Sequence, residues 1–213
     1  MRPNTVKICG ITRTTDARAC LKFGADALGF IFHPTSPRNL TLDKFRGLFA
    51  GLDFGKCRKV AVAVSPDISR VEQLIEAGFD KFQFHFSPDI SEEKISQWSS
   101  MIGRENLWLA PRLESSIPLP DYFLKYAKVF LIDAYSDKSY GGTGKLADWE
   151  KFAELKEEHP EHQWFLAGGL GPENLADALS RLRPDGVDLN SGVEKNPGIK
   201  DTQKLSEVFS KLI

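Results

Sequence analysis

The sequence predicts one (β/α)8 barrel of the TIM-barrel type, an α/β fold with residues 1–213 in a single domain. Eight short apolar runs alternate with eight stretches of helical periodicity, and such strict alternation implies a parallel sheet covered by helices. No linker, charge block or low-complexity stretch divides the chain, and its 213 residues fall near the lower end of this fold's range of about 200 to 400. The alternative is an open doubly wound sheet, which needs a topological switch point and usually a nucleotide fingerprint.

The strands are predicted from short runs rich in β-branched and aromatic residues. The first run ends at Gly10, where a polar segment suited to capping a helix begins. Residues 59–64, with the sequence KVAVAV, show the nearly continuous apolar pattern of a strand buried on both faces. The eight predicted strands are residues 6–10, 25–32, 59–64, 81–86, 107–113, 129–133, 163–167 and 186–190.

The helices are predicted from apolar residues at helical spacing and from their terminal signals. Gly24 and Gly78 stand where the first and third helices end, Ser91 is placed to cap the fourth, and Pro172 is placed at the start of the seventh. The eight predicted helices are residues 16–23, 42–52, 68–77, 91–102, 121–126, 148–158, 172–182 and 201–212.

Composition and charge limit the possible partners. A formal net charge of −1 provides no basic field for nucleic acid or an anionic membrane. No apolar run approaches the roughly 20 residues of a membrane span, and no segment resembles a signal peptide, so we expect a cytoplasmic protein. Cys9, Cys20 and Cys57 are odd in number and lack metal-ligand spacing, so we expect neither disulfides nor a zinc site.

Functional residues of a barrel lie at the carboxyl ends of its strands. Cys9 lies at the carboxyl end of the first predicted strand and Asp133 ends the sixth, so a thiol and a carboxyl group would face each other across the mouth. Such a pair can act as base and acid on two atoms of one substrate. The alternative for Cys9 is a small buried hydrophobic residue. Arg38, on the loop after strand two, is suited to bind a carboxylate bidentately, or else is a solvated arginine.

Two small-residue loops follow strands seven and eight, where barrels commonly bind phosphate. They contain Gly168 and Gly169 after strand seven, and Asn190, Ser191 and Gly192 after strand eight. The sequence therefore predicts a phosphorylated small-molecule substrate. The alternative is that these glycines only make tight turns.

The loop of residues 134–145 superficially resembles a P-loop. It fails that pattern because Ser139 stands where a glycine is required, and Leu146 stands where a serine or threonine is required. We expect a glycine-hinged lid over the barrel mouth, with an ordinary surface loop as the alternative.

Five blocks taken in order resemble the phosphoribosylanthranilate isomerase family of tryptophan biosynthesis. They are KICGIT at 7–12, SPR at 36–38, LID at 131–133 with GGTGK at 141–145, LAGGL at 166–170, and DLNSGVE at 188–194 with PG at 197–198 and KD at 200–201. The resemblance runs from the first strand to the last helix and implies a barrel enzyme without cofactor or metal. We expect a monomer or homodimer, and the sequence leaves open which.

The resemblance also implies residue roles. Cys9 would be the general base, Asp133 the general acid, and Arg38 the ligand of the anthranilate carboxylate. Asp188 would meet substrate hydroxyls, and Gln83 and His85 match the family's fourth strand as substrate-binding residues. The phosphate would bind Gly168 and Gly169 on one side and Asn190, Ser191 and Gly192 on the other.

The implied reaction is an Amadori rearrangement of N-(5-phosphoribosyl)anthranilate to 1-(2-carboxyphenylamino)-1-deoxyribulose 5-phosphate. Asp133 would protonate the ribose ring oxygen, and Cys9, as a thiolate, would remove the C2 proton. A free thiol is only slightly ionised at pH 7, so we expect the site to favour the thiolate. Lys7 should share a strand face with Cys9, and its role stays open.

Two places depart from the family pattern. Phe86 stands where relatives have a glycine, which we expect to put a bulky ring at the pocket rim, and strand three ends Val64-Ser65 where relatives tend to have Phe-Asn. One alternative function is the related aminoaldose-phosphate isomerase of histidine biosynthesis, which uses an aspartate where Cys9 stands. The other is a catalytically silent barrel that binds a phosphorylated metabolite.

Overall fold

A computed structural model describes residues 2–113, 117–133 and 149–212. Eight parallel strands form a closed barrel in the order β1 to β8, which confirms the predicted fold class. The barrel strands are β1 (Thr5–Ile8), β2 (Ala27–Ile31), β3 (Arg58–Val64), β4 (Lys81–Phe86), β5 (Leu107–Pro111), β6 (Val129–Ile132), β7 (Gln163–Leu166) and β8 (Gly186–Leu189).

The barrel closes where β1 pairs with β8. The register places Val6 beside Val187 and Lys7 beside Asp188, so residues from both ends of the chain lie side by side. This pairing brings the carboxyl end of β1 next to the loop that follows β8. The first strand and one of the predicted phosphate loops therefore share one side of the barrel mouth.

The helices alternate with the strands as predicted, with shifted ends. They are α1 (Thr14–Phe23), α2 (Leu42–Phe49), α3 (Ile68–Glu76), α4 (Glu92–Ile102), α5 (Tyr122–Tyr126), α6 (Trp149–Glu158), α7 (Leu175–Leu182) and α8 (Thr202–Ser210). Ser91 caps α4, since its side chain accepts a hydrogen bond from the Lys94 backbone N–H. The longest of these helices, α4, has 11 residues, well short of the roughly 20 that a membrane span requires.

The predicted start of the seventh helix at Pro172 is wrong. The helix begins at Leu175 because Asn174 ties the preceding segment into a turn. Its side-chain oxygen accepts from the Gly171 N–H at 3.0 Å, and its amide group donates to the Gly169 carbonyl at 2.9 Å. These bonds shape the loop after β7 before the helix starts.

The core has two layers. Between barrel and helices, Phe30 packs edge-to-face against Phe45 and Phe49 of α2, with centroid separations of 4.8 and 4.9 Å. Inside the barrel, Trp108 packs against Phe165 at 5.0 Å. Phe49, Trp98 and Trp108 are all at most 5% exposed, so these large aromatic side chains belong to the core.

A short hairpin after β8 was not predicted from the sequence. A 3-10 helix (Ser191–Val193) leads into β9 (Glu194–Asn196), which pairs antiparallel with β10 (Ile199–Lys200). The register places Glu194 opposite Lys200. The hairpin thus brings two charged side chains together beside the barrel mouth.

Candidate active site

The carboxyl ends of the strands surround a cavity with a volume of about 720 Å³, part of it open to solvent. Its wall contains ten of the eleven site residues predicted from the sequence: Cys9, Arg38, Gln83, His85, Asp133, Gly168, Gly169, Asp188, Asn190 and Ser191. The structure therefore brings these residues together from six strand ends and loops, whereas their individual roles stay predictions.

Cys9 immediately follows β1 and is 3% exposed. Its backbone N–H donates to the Leu189 carbonyl at 2.8 Å, which fixes the residue against the end of β8. Gly29 of β2 makes room for the side chain, because a Cβ atom there would lie 2.8 Å from Cys9 Sγ and 2.9 Å from Lys7 Nζ. The thiol and the ammonium group thus lie against the same glycine.

Lys7 is fully buried inside the barrel. Its Nζ donates to both carboxylate oxygens of Asp188, at 2.7 and 2.8 Å. Burial alone would lower the pKa of Lys7, but its interactions with its neighbours, chiefly with the charge of Asp188, outweigh burial and raise the pKa above its usual value. A lysine that stays protonated therefore stands next to the thiol.

The structure opposes the expectation that Cys9 favours the thiolate. Burial raises the pKa of its thiol above the usual value, and the nearby charge of Lys7 lowers it only in part. The carboxylate of Asp188, which shares Lys7 with the thiol, raises the pKa further. The sequence could not show that Lys7 is divided between two acidic partners.

Gln83 and His85 project from β4 into the cavity and contact each other. Burial, followed by the charge of Lys7, lowers the pKa of His85 to about 4, so the ring is neutral at pH 7. We assign the 2.8 Å contact as Gln83 Nε2 donating to His85 Nε2, which places the ring proton on Nδ1. Gln83 Oε1 is buried and has no hydrogen-bond partner among the described residues, so it is available to accept from a ligand.

The expectation that Phe86 lies at the pocket rim is wrong. Side chains alternate across a strand, so Phe86 lies on the opposite face of β4 from Gln83 and His85. The ring is fully buried between barrel and helices, where it packs against Trp98 at 5.8 Å and Phe123 at 5.3 Å. Phe86 therefore leaves the cavity unobstructed.

Arg38 binds a carboxylate bidentately, but that carboxylate belongs to the chain itself. Its Nε donates to both oxygens of Glu194, at 2.9 and 3.1 Å, and its Nη2 donates to Oε2 at 2.6 Å. Because Arg38 is 8% exposed, the alternative of a solvated arginine is wrong. Within the described part of the chain, Nη1 makes no hydrogen bond, although Arg38 lines the cavity.

Glu194 also accepts from Lys200 Nζ at 2.9 Å, and Lys200 reaches the side-chain oxygen of Asn190 at 3.1 Å. Neither Glu194 nor Lys200 was selected from the sequence. Charged residues at near-complete burial, 6% and 5% exposed, are the physical signal, but burial is known only from the structure.

The two predicted phosphate loops meet at the mouth. Gly168 and Gly169 have φ values of 86° and 64°, a region that favours glycine, and both line the cavity. Gly192 lies outside the cavity wall. Its backbone packs directly against Leu170 and Gly171, so that it lets the loops after β7 and β8 approach closely.

Asp133 directly follows β6, is half-buried and lines the cavity on a different wall from Cys9. A carboxyl group and a thiol on separate walls can transfer protons at two atoms of one ligand. The predicted lid, residues 134–145, lies outside the described residues. Among the residues that are described, no cluster of His, Cys, Asp and Glu could hold a metal ion.

Some cavity residues were not selected from the sequence. His33 and Ser36, on the loop between β2 and α2, line the cavity near Arg38. The sequence carried a weak signal for them, because each precedes a proline in the loop that presents Arg38. Cys20 and Cys57 lie away from the cavity, and burial raises the pKa of each to about 12, as suits unreactive thiols.

Comparison with known proteins gives consistent matches over nearly the whole chain. A family model described as "N-(5'phosphoribosyl)anthranilate (PRA) isomerase" matches residues 6–211. The curated "N-(5'-phosphoribosyl)anthranilate isomerase" of Aquifex aeolicus (strain VF5) is 38% identical over 206 residues, which cover 97% of each chain.

Solved structures agree with this match. The phosphoribosyl anthranilate isomerase from Thermus thermophilus has a TM-score of 0.80 at 30% identity, with 98% of each chain covered. A phosphoribosyl anthranilate isomerase in complex with reduced 1-(o-carboxyphenylamino)-1-deoxyribulose 5-phosphate has a TM-score of 0.75 at 25% identity. That match covers 98% of this chain and 97% of the other.

Proposed function

This chain belongs to the N-(5'-phosphoribosyl)anthranilate isomerase family, and we propose that the cavity at its barrel mouth carries out that isomerisation, a step of L-tryptophan biosynthesis. The observation that carries the assignment to this cavity is its wall: a buried thiol, a carboxyl group and two glycine-rich loops surround one space. The substrate has two atoms at which protons are transferred, one for the thiol and one for the carboxyl group, and it has a phosphate for the two loops.

The proposed reaction needs an acid and a base on opposite sides of the sugar. Asp133, in its protonated form, gives a proton to the ribose ring oxygen as the bond from C1 to that oxygen breaks, which opens the ring to a Schiff base. Cys9 then removes the proton from C2, and the electron pair forms an enolamine. Tautomerisation of the enolamine gives 1-(2-carboxyphenylamino)-1-deoxyribulose 5-phosphate.

Lys7 supports the base in this scheme. Burial raises the pKa of the Cys9 thiol, so only its minor thiolate fraction, which has already released its proton to solvent, acts as the base. The adjacent ammonium group of Lys7 stabilises that negative charge, and Asp188 holds the ammonium group in place at 2.7 Å. The oxygens of Asp188 retain capacity to accept from substrate hydroxyls, since each takes one hydrogen bond from Lys7.

The two anionic ends of the substrate would bind at separate places. The phosphate would meet backbone N–H groups of Gly168, Gly169 and Ser191, with Asn190 beside them. The anthranilate carboxylate would bind Arg38 through Nη1, the nitrogen that Glu194 does not use. Gln83 Oε1 would accept from a substrate donor, with His85 holding the amide in place.

The alternative of a catalytically silent barrel depended on a bulky Phe86 ring at the pocket rim. Phe86 faces the helices rather than the cavity, so this argument for the alternative no longer applies. The alternative in histidine biosynthesis has no observation in its favour, since a cysteine stands where that family has its aspartate. The expected cytoplasmic location, the monomer or homodimer, and the absence of nucleic-acid and membrane partners stay predictions.

The deciding assay follows the conversion of N-(5-phosphoribosyl)anthranilate to the ring-opened product. We expect Cys9→Ala and Asp133→Asn to lower kcat/KM by about 10²–10⁴-fold, the usual contribution of a positioned acid or base. Cys57→Ala is the matched control, because that thiol lies away from the cavity. A loss below about tenfold in either variant would remove its proposed role. Failure of the wild-type gene to rescue a tryptophan auxotroph, despite folded expression, would contradict the function itself.

A further inference from the structure

We propose that Glu194 is the positioning residue for Arg38, and that the buried cluster of Arg38, Glu194 and Lys200 makes the cavity selective for a ligand that carries a carboxylate on its aromatic ring. The inference rests on the proposed function, because it concerns the recognition of the anthranilate end of the substrate. It assigns a role to two residues, Glu194 and Lys200, that neither touch the reacting atoms nor line the cavity.

The first observation is that every hydrogen-bond partner of the Glu194 carboxylate is a donor. Oε1 accepts from Arg38 Nε at 2.9 Å, Lys200 Nζ at 2.9 Å and the Gly198 N–H at 3.1 Å. Oε2 accepts from Arg38 Nη2 at 2.6 Å and Arg38 Nε at 3.1 Å. Only a carboxylate can accept all of these hydrogen bonds. A glutamine at this position would point its NH2 group, itself a donor, at one of the donors.

The second observation is the orientation that these bonds give to Arg38. A guanidinium group is planar and rigid, so fixing Nε and Nη2 also fixes the direction of Nη1. Among the described residues Nη1 has no hydrogen-bond partner, and Arg38 borders the cavity. Glu194 therefore determines where the remaining edge of the guanidinium meets a ligand.

The third observation is the charge of the cluster. Two cations, Arg38 and Lys200, surround one carboxylate, and all three groups are less than 9% exposed. Burial alone would raise the pKa of Glu194, but the hydrogen bonds from Arg38 and the charge of Lys200 lower it below its usual value. Burial lowers the pKa of Lys200, and the charge of Glu194 opposes that shift. While Lys200 holds its proton, the cluster carries one positive charge in excess, which an anionic group placed at Arg38 would neutralise.

Lys200 extends the cluster to the phosphate loop. Its ammonium group donates to Glu194, to the side-chain oxygen of Asn190 at 3.1 Å and to the Asn190 carbonyl at 3.3 Å. All three of its hydrogens are thereby used within the chain, so Lys200 orients its neighbours and does not itself bind ligand.

The test compares two ligands on the full chain by calorimetry. One is reduced 1-(2-carboxyphenylamino)-1-deoxyribulose 5-phosphate, and the other is its phenylamino counterpart, which lacks the ring carboxylate. We expect Glu194→Gln to weaken binding of the first ligand by about tenfold or more, equivalent to about 1.4 kcal/mol, and of the second by less than about threefold. A purely structural role would weaken both ligands alike, and that result would overturn the proposal.

Two further variants keep the test decisive. Glu194→Asp retains the charge but withdraws the carboxylate by one methylene, so it should show the same selective loss if Glu194→Gln does not fold. Asp16→Asn is the control, because Asp16 accepts from the Lys200 backbone N–H at 3.0 Å and supports the hairpin without touching Arg38. We expect it to affect both ligands equally; a selective loss in Asp16→Asn would overturn the proposal.

The wild-type chain separates this inference from the proposed function. If it binds the two ligands with the selectivity described and Glu194→Gln removes that selectivity, the positioning role holds even where turnover of N-(5-phosphoribosyl)anthranilate is absent. If the wild-type chain turns over the substrate but binds both ligands equally, the isomerase function holds and the positioning role fails.

Discussion

The ammonium group of Lys7 bridges both oxygens of Asp188, at 2.7 and 2.8 Å, while it also faces the thiol of Cys9. Lys7 and Asp188 are direct neighbours in the register between β1 and β8. The cation that would stabilise a thiolate is thus shared with the carboxyl group of Asp188. The reactivity of Cys9 depends on how this charge is divided.

We predict that Asp188→Asn increases the reactivity of Cys9 towards iodoacetamide at pH 7. Removing the carboxylate lowers the pKa of the thiol, because Asp188 raises it in the wild-type chain while Lys7 lowers it. The double variant Lys7→Met/Asp188→Asn should react more slowly than Asp188→Asn, since the cation is lost as well. Alkylation rates are measured for each cysteine by peptide mass spectrometry.

Cys57 is the internal control in the same samples. Its pKa of about 12 arises from burial and from Asp26 and Asp80, so neither variant should change its rate. A slower rate at Cys9 in Asp188→Asn would contradict the prediction, and would mean that Lys7 needs Asp188 to keep its proton.

We predict that Gly29→Ala lowers kcat/KM by about tenfold or more. The added Cβ would lie 2.8 Å from Cys9 Sγ and 2.9 Å from Lys7 Nζ, so both groups must move, and misplacement by about 1 Å can cost about 10²-fold. The control is Gly47→Ala on the exposed face of α2, where no atom lies within 4 Å. It should leave the kinetics unchanged and raise the free energy of unfolding by about 0.5–1 kcal/mol. Full activity in Gly29→Ala would show that the site tolerates the added methyl group.

We predict that Phe86→Ala lowers the free energy of unfolding by about 3–5 kcal/mol, because it leaves a cavity beside Trp98 and Phe123. Urea denaturation measures this loss, and Phe86→Leu should show a smaller one. The kcat and KM of the folded fraction should stay within about twofold, since the ring does not line the cavity. A large change in KM without a loss of stability would instead place the ring in the substrate's path.

We predict that stability falls as the pH decreases from about 6.5 to about 4, in part because of His85. In the unfolded chain this side chain takes up a proton near its usual pKa of 6.5, whereas in the folded chain it stays neutral until about pH 4. The unfolded state therefore binds more protons in this window, and unfolding becomes easier by up to about 3 kcal/mol. Above pH 7 the ring is neutral in both states and contributes no pH dependence.

Urea denaturation at several pH values measures this effect in the wild-type chain and in His85→Gln. The variant should lose stability less steeply between pH 6.5 and 4. His159→Gln, which alters a histidine outside the cavity, is the control and should follow the wild-type curve. Parallel curves for wild type and His85→Gln would rule out this histidine as the source.

The fold could be predicted because each element carries its own local signal. Apolar runs, glycine stops and caps such as Ser91 act over a few residues, and eight repeats of the same unit specify the barrel. The start of α7 could not be placed, because Asn174 shapes that turn through contacts with Gly169 and Gly171 that pattern alone does not show.

A site residue could be predicted only where the residue type itself indicates a chemical role. The role of Glu194 could not be predicted, because its partner Arg38 is 156 positions away and no local pattern indicates their contact. Two other features of the site do follow from the sequence. A lysine in the middle of a buried strand requires a counter-charge, and the alternation of β4 already places Phe86 on the face opposite Gln83 and His85.

The pairing of β1 with β8 joins segments about 180 residues apart, with Thr5 beside Gly186. Cys9 follows one of these strands and Ser191 follows the other. In a partly folded chain whose barrel is still open, the two residues therefore cannot contact the same ligand molecule. Pairing over this separation carries a loop-closure entropy cost that local contacts avoid. Substrate would therefore bind only the chain whose barrel is closed. A higher substrate concentration in the cell would increase the fraction of the enzyme with a closed, folded barrel.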